Sequence, residues 1–162
     1  MKPGVFSQLY EQLVFAVRFR ESLLSKPIRE LLFPYISGIV SNLGHKSFIV
    51  NGYFDHVHVF YGRNPSVSTS DTVAAIKKSS AWFVNENRWF HGRFQWQDGY
   101  GAFSYGNGQI DNIYKYILFQ EEHHSGKKFK HEYVEMLTEA GIVYDEKYLF
   151  DFFDVSDPDI FI

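Results

Sequence analysis

Along the chain, hydrophobic positions switch between a two-residue and a three-to-four-residue repeat, and the switches mark out the elements. Residues 10–18, YEQLVFAVR, mix aromatic and β-branched side chains and read as a first strand. Ser25 followed by Lys26 and Pro27 opens a helix. Ile28, Leu31, Leu32, Tyr35, Ile36, Ile39, Val40 and Leu43 then form one stripe; Pro34 marks a kink candidate and Gly44 closes the helix. KSFIVNGY (46–53) and DHVHVFYG (55–62) read as two further strands joined tightly around Phe54. A turn-rich loop at 64–70 ends in the cap candidates Ser68 and Ser70, and a helix follows over about 71–85. Residues 88–98 are aromatic and irregular, and 100–105 read as a fourth strand. Residues 109–124 predict one continuous helix with Asp111 in its first turn, and 130–140 predict another, ended by Gly141.

The order β-α-β-β-α-β followed by two helices predicts an α+β, ferredoxin-like fold: a four-stranded antiparallel sheet with helices on one face and extra C-terminal helices. The other sheet face is then left for function. No repeat, low-complexity stretch or linker divides the 162 residues, which read as a single domain with a core at about 8–143 and an acidic tail at 144–162.

Composition narrows the chemistry. With 45% hydrophobic and 19% aromatic residues the chain can bury a core. The lack of cysteine excludes disulfides, thiolate zinc sites and thiol catalysis, so a metal would be held by His, carboxylate, amide or water. The apolar run Leu13 to Val17 is short and ends in Arg18, and no run approaches the roughly 20 residues of a membrane span; a soluble cytoplasmic protein is expected, with no membrane partner. The net charge of −3 is unevenly spread. Asp145, Glu146, Asp151, Asp154, Asp157 and Asp159 make the tail acidic and leave residues 1–143 net positive. Lys77, Lys78, Arg88 and Arg93 form one basic region, and Lys127, Lys128 and Lys130, near His123, His124 and His131, form another. Such clusters pair with phosphates or simply solvate a surface.

Two constellations carry chemistry. On a strand, His56 and His58 project to one side while Val57 and Val59 point to the other. The pair fits one cation, or a half-buried strand that carries two histidines. On the 109–124 helix, Ile110, Ile113, Tyr114, Ile117 and Leu118 form an apolar stripe, and Asn112, Tyr116, Gln120 and His123 share a polar face. That face fits either a reactive site or an ordinary amphipathic helix, with Tyr114 lying nearer the stripe.

Taken in order, these segments resemble the single-tyrosine transposases of the HUH nuclease superfamily: the insertion-sequence-200-like family, REP-associated tyrosine transposases included. YEQLVFAVRFR resembles the family's first strand and DHVHVF its His-hydrophobic-His strand. The serine- and lysine-containing helix around 76–80 follows, then FQWQDGYGAFSYG, then NIYKYILFQEEHH, which resembles the helix carrying a nucleophilic tyrosine and a glutamine four residues on. The resemblance covers about residues 8–150. It departs at Phe54, where proline is common, and at Gln12, where histidine is common; neither is a catalytic position of the family.

The resemblance implies a transposase that nicks and rejoins single-stranded DNA. Tyr116 would attack a phosphodiester, form a 5′-phosphotyrosine and free a 3′-hydroxyl. His56, His58 and Gln120 would hold Mg²⁺ or Mn²⁺, with Asp55 an orienting residue. Lys77, Lys78, Arg88, Arg93, Lys127 and Lys128 would bind DNA with hairpin ends. Trp89, Phe94 and Trp96 would either stack unpaired bases or pack in the core. A homodimer with shared sites and a bacterial cytoplasmic location are implied as well. A domesticated single-stranded nucleic-acid-binding protein without transposition is the alternative. A histidine-triad hydrolase is disfavoured because Phe60 stands where its third histidine would be.

Overall fold

The computed structural model describes residues 2–155; Asp157 and Asp159 of the acidic tail lie outside the described residues. Strands β1 (Tyr10–Ala16), β2 (Lys46–Gly52), β3 (His56–Gly62) and β4 (Gly101–Tyr105) form one sheet in the order β2-β3-β1-β4. Every neighbouring pair is antiparallel. Helix α1 (Lys26–Asn42) joins β1 to β2, and α2 (Thr69–Glu86) joins β3 to β4. This is the ferredoxin-like arrangement that the pattern predicts.

Register decides which side chains share a face. Leu13 lies opposite Val59 and Phe15 opposite Val57, and all four are fully buried. On the other face Gln12, Val14 and Ala16 lie opposite Phe60, His58 and His56. That face is not left open as expected. Helices α3 (Ile110–Leu118), α4 (Gln120–His124) and α5 (Phe129–Glu139) follow β4, and Phe129, Tyr133 and Leu137 of α5 join the buried core. Two glycines make this closure possible. A Cβ on Gly52 would lie 2.2 Å from the His56 carbonyl oxygen, so only glycine lets the β2–β3 turn close directly onto His56. A Cβ on Gly101 would lie 2.7 Å from the Tyr133 hydroxyl, so glycine there leaves room for the Tyr133 side chain of α5 to lie against β4.

Local details correct the sequence reading in three places. In α1 the stripe is displaced: Leu31 is 58% exposed, whereas Phe33 and Arg29 are buried. Arg29 is tolerated there because its guanidinium donates to the Leu24 carbonyl at 2.7 Å and to Glu121 at 3.1 Å. In the irregular segment, Phe94 and Trp96 are core residues and not base-stacking platforms. Trp96 donates to Ser80 Oγ at 2.9 Å, while Asn85 bonds both backbone groups of Phe94.

The third correction bears on the site. The helix predicted over 109–124 breaks at Phe119, whose backbone (φ −98, ψ 27) leaves the helical region. Asn51 of β2 explains the break: its Nδ2 donates to the carbonyls of Ile117 and Leu118 at 2.9 and 3.1 Å, taking up two orphan acceptors at the end of α3. The expected apolar stripe is consequently not a core face. Only Ile117 is buried, and Tyr114, Leu118 and Phe119 are each at least 39% exposed.

Candidate functional site

β3 presents His56 and His58 to α4 and α5, both fully buried. Each ring is fixed from behind. His56 Nδ1 lies 2.7 Å from Asp55 Oδ1, and His58 Nδ1 lies 2.6 Å from Gln12 Oε1. Both partners accept through oxygen, so each Nδ1 carries the proton and donates it. Each Nε2 is thereby turned toward the middle of the site. Phe129 stacks flat on His56 at 3.9 Å between centroids and closes the floor.

The helix break re-aims the residues after Tyr116. Gln120 is fully buried, its Oε1 3.1 Å from His56 Nε2 and its Nε2 donating to Glu132 Oε2 at 2.9 Å. Tyr116, half-buried, donates its hydroxyl to the same Oε2 in a short hydrogen bond. Glu132 Oε1 faces the other way, 3.2 Å from His56 Nε2 and 3.1 Å from His58 Nε2. One carboxylate of α5 thus touches both imidazoles with one oxygen and the phenol with the other. His123 stacks on the Tyr116 ring at 4.7 Å between centroids.

Burial and charge set the protonation states. Desolvation alone would lower His56, but Asp55 and then Glu132 outweigh it and raise the imidazole to about 9. His58 is lowered, because desolvation outweighs the attraction of Glu132 and the neighbouring imidazoles add repulsion. Desolvation would raise Glu132, yet the three histidines around it hold it far below the usual carboxylate range. Tyr116 is raised well above an ordinary phenol by burial and by the Glu132 charge.

The donor set fits a divalent cation. His56, His58 and Glu132 form a buried group whose ligand atoms all lie within 4.8 Å of one another. The Glu132-to-imidazole spacings of 3.1–3.2 Å match the edges of a coordination polyhedron, about 3.0–3.4 Å for bonds of about 2.1 Å. Glu132 lay outside the sequence reading. Its signal was available, since it sits between Phe129 and Tyr133 on the buried stripe of α5, where an acid requires partners. Gln12, the departure from the family pattern in β1, proves to be what orients His58.

The six basic positions are distributed unequally. Lys77 Nζ donates to the carbonyls of Gln97 and Gly99 at 2.7 and 2.6 Å, which leaves Lys78 as the exposed lysine of that pair. Arg88 and Arg93 are exposed. Lys127 pairs with Glu135, and Lys127 and Lys128 line a cleft of about 460 Å³ beside His124 and Tyr53. A second cleft, about 730 Å³, opens on Tyr116 and is lined by Gln12, Tyr105, Asn112, Glu132 and Glu135 among others.

The class of protein follows from the family match, which is to transposases, enzymes that process DNA. The family profile described as "Transposase IS200 like" matches residues 5–120, and the chain belongs to that family. Among solved structures it is similar to a protein of Deinococcus radiodurans R1 described as a transposase (22% identity, TM-score 0.56, covering 74% of this chain and 96% of that one). It is also similar to a REP-associated tyrosine transposase bound to a REP hairpin (15% identity, TM-score 0.56, covering 96% of each chain). No curated protein matches significantly. Among the described residues, no helix is long and apolar enough to cross a membrane.

Proposed function

We propose that this transposase nicks and rejoins single-stranded DNA through a phosphotyrosine at Tyr116. The observation that carries the reading is the shared carboxylate: Glu132 binds the Tyr116 hydroxyl with one oxygen and faces His56 and His58 with the other. The Tyr116 oxygen attacks phosphorus, the P–O3′ bond breaks, and a 5′-phosphotyrosine and a 3′-hydroxyl result. Glu132, as acceptor of the phenol's hydrogen bond, stands where it can take the proton in attack while the departing 3′-oxygen takes one from water. When a 3′-hydroxyl attacks the phosphotyrosine, it gives its proton to water and Glu132 returns one to the tyrosine. His56, His58, Gln120 and Glu132 would hold Mg²⁺ or Mn²⁺, which when bound makes the phosphate more electrophilic and stabilises transition-state charge. Asp55 and Gln12 keep the imidazole lone pairs aimed inward.

The substrate is single-stranded DNA with a hairpin end, a reading supported by family membership and by the hairpin in the REP-associated relative. Incubation with a hairpin oligonucleotide carrying a single-stranded flank is expected to give a metal-dependent covalent adduct on denaturing gels. Binding is expected to weaken steeply with salt as Lys78, Arg88, Arg93 and Lys128 release counterions. Equal affinity for a blunt, perfectly paired duplex would overturn the substrate. DNA binding without any adduct would favour the alternative, a domesticated binding protein.

The working unit proposed is a homodimer. The exposed Tyr114, Leu118 and Phe119 give α3 an apolar face for a second copy to cover. Tyr116 and Gln120 reach Glu132 and His56 of their own chain, which supports a site completed within each protomer. Mixed dimers of His58→Ala with Tyr116→Phe decide this. Within-chain assembly predicts no activity, whereas recovery of a fraction of wild-type activity would show shared sites.

A further inference from the structure

We propose that His124 is a third imidazole ligand of this metal site and makes it a centre for divalent transition metals in preference to Mg²⁺. The proposal rests on the metal site described above and extends it to a residue beyond the paired histidines.

His124 is built into the site in the same way as His56 and His58. Its Nδ1 lies 2.6 Å from the Lys127 carbonyl oxygen, which can only accept, so Nδ1 donates and the Nε2 lone pair is left free. That Nε2 lies 3.1 Å from Gln120 Oε1 and 3.2 Å from Glu132 Oε1. Its side chain is 2% exposed. The rings of His56 and His124 meet edge to face at 4.6 Å, and Tyr53 stacks on the outer face of His124 at 5.2 Å.

Three imidazole nitrogens thus lie within 3.2 Å of Glu132 Oε1, each with its other nitrogen occupied, and Gln120 Oε1 lies 3.1 Å from those of His56 and His124. The ligand atoms of His56, His58 and Glu132 all lie within 4.8 Å of one another, and His124 adjoins that group through Glu132 and Gln120. Once the imidazoles are deprotonated, as metal binding requires, all five atoms are acceptors and present only lone pairs to a cation. Position in sequence adds a reason: Gln120 and His124 are one turn apart on α4, so both point to the same place once Asn51 has ended α3. Three imidazoles suit Mn²⁺, Co²⁺ or Zn²⁺, whereas Mg²⁺ favours oxygen and retains its waters.

Calorimetric titration with MnCl₂ and MgCl₂ tests this on the full chain, alongside thermal melts in EDTA and in Mn²⁺. His124→Ala is compared with His124→Asn, which keeps an amide to donate to the Lys127 carbonyl but has no atom at the Nε2 position. His58→Ala and the exposed His131→Ala complete the set. The expected result is tighter Mn²⁺ than Mg²⁺ binding by wild type, and a loss of at least about tenfold in Mn²⁺ affinity in both His124 variants. The Mn²⁺-induced rise in melting temperature should shrink in parallel, with His131→Ala unchanged. Wild-type affinity in folded His124→Asn, with binding lost in His58→Ala, would overturn the role of His124 and leave the two-histidine site standing. Unaltered binding in His58→Ala as well would overturn the metal site itself.

Discussion

Tyr116→Phe is expected to abolish the covalent protein–DNA adduct while preserving the fold, Mn²⁺ binding and hairpin binding. The substitution deletes one oxygen, and that oxygen is the only atom proposed to bond to phosphorus. Its present partner, Glu132 Oε2, retains the hydrogen bond from Gln120 Nε2, so the carboxylate is not left bare. The loss of one hydrogen bond to a charged group should lower stability by about 1–3 kcal/mol, visible as a modest drop in melting temperature. Tyr114→Phe is the matched control, because Tyr114 lies on the exposed side of α3. An adduct that survives in the Tyr116 variant and disappears in the Tyr114 variant would assign the nucleophile to the wrong tyrosine.

His56→Ala and His58→Ala are each expected to reduce cleavage by several orders of magnitude. Both should also weaken Mn²⁺ binding, since each removes a buried ligand whose orientation the fold has fixed through Asp55 or Gln12. Structural harm must be separated from chemical harm, because His58→Ala leaves Gln12 Oε1 without its donor and Glu132 with one fewer imidazole. Melting curves recorded without metal provide the correction. The comparison that decides is cleavage per folded molecule, with Mn²⁺ and with excess EDTA. Full cleavage by wild type in EDTA would refute metal dependence.

What could be read from the sequence was whatever depends on local periodicity. Alternation along HVHVF put both histidines on one sheet face, and the Ser68 cap and Gly44 stop bounded α2 and α1 because those signals act within a few residues. What could not be read depends on partners distant in sequence. A continuous helix over 109–124 was the better local solution. It is overruled by Asn51, some 66 positions away from Ile117, which takes its carbonyl and turns Gln120 and His124 inward. Leu31 and Phe33 exchange places because the position of α1 over the sheet, and not its own pattern, selects the buried stripe. Gln12 looks like a surface residue until the sheet face opposite α1 and α2 turns out to be covered.

That covering also has a consequence for trimming the chain. The family profile matches as far as residue 120, yet the sheet face carrying the histidines is sealed by Phe129, Tyr133 and Leu137, which come later. A chain trimmed to the matched region would keep the family's recognisable residues and expose the apolar surroundings of His56 and His58 to water. For protein engineering, the smallest usable unit is thus set by what α5 buries. Swapping tyrosine helices between relatives would require the α5 segment to travel with them.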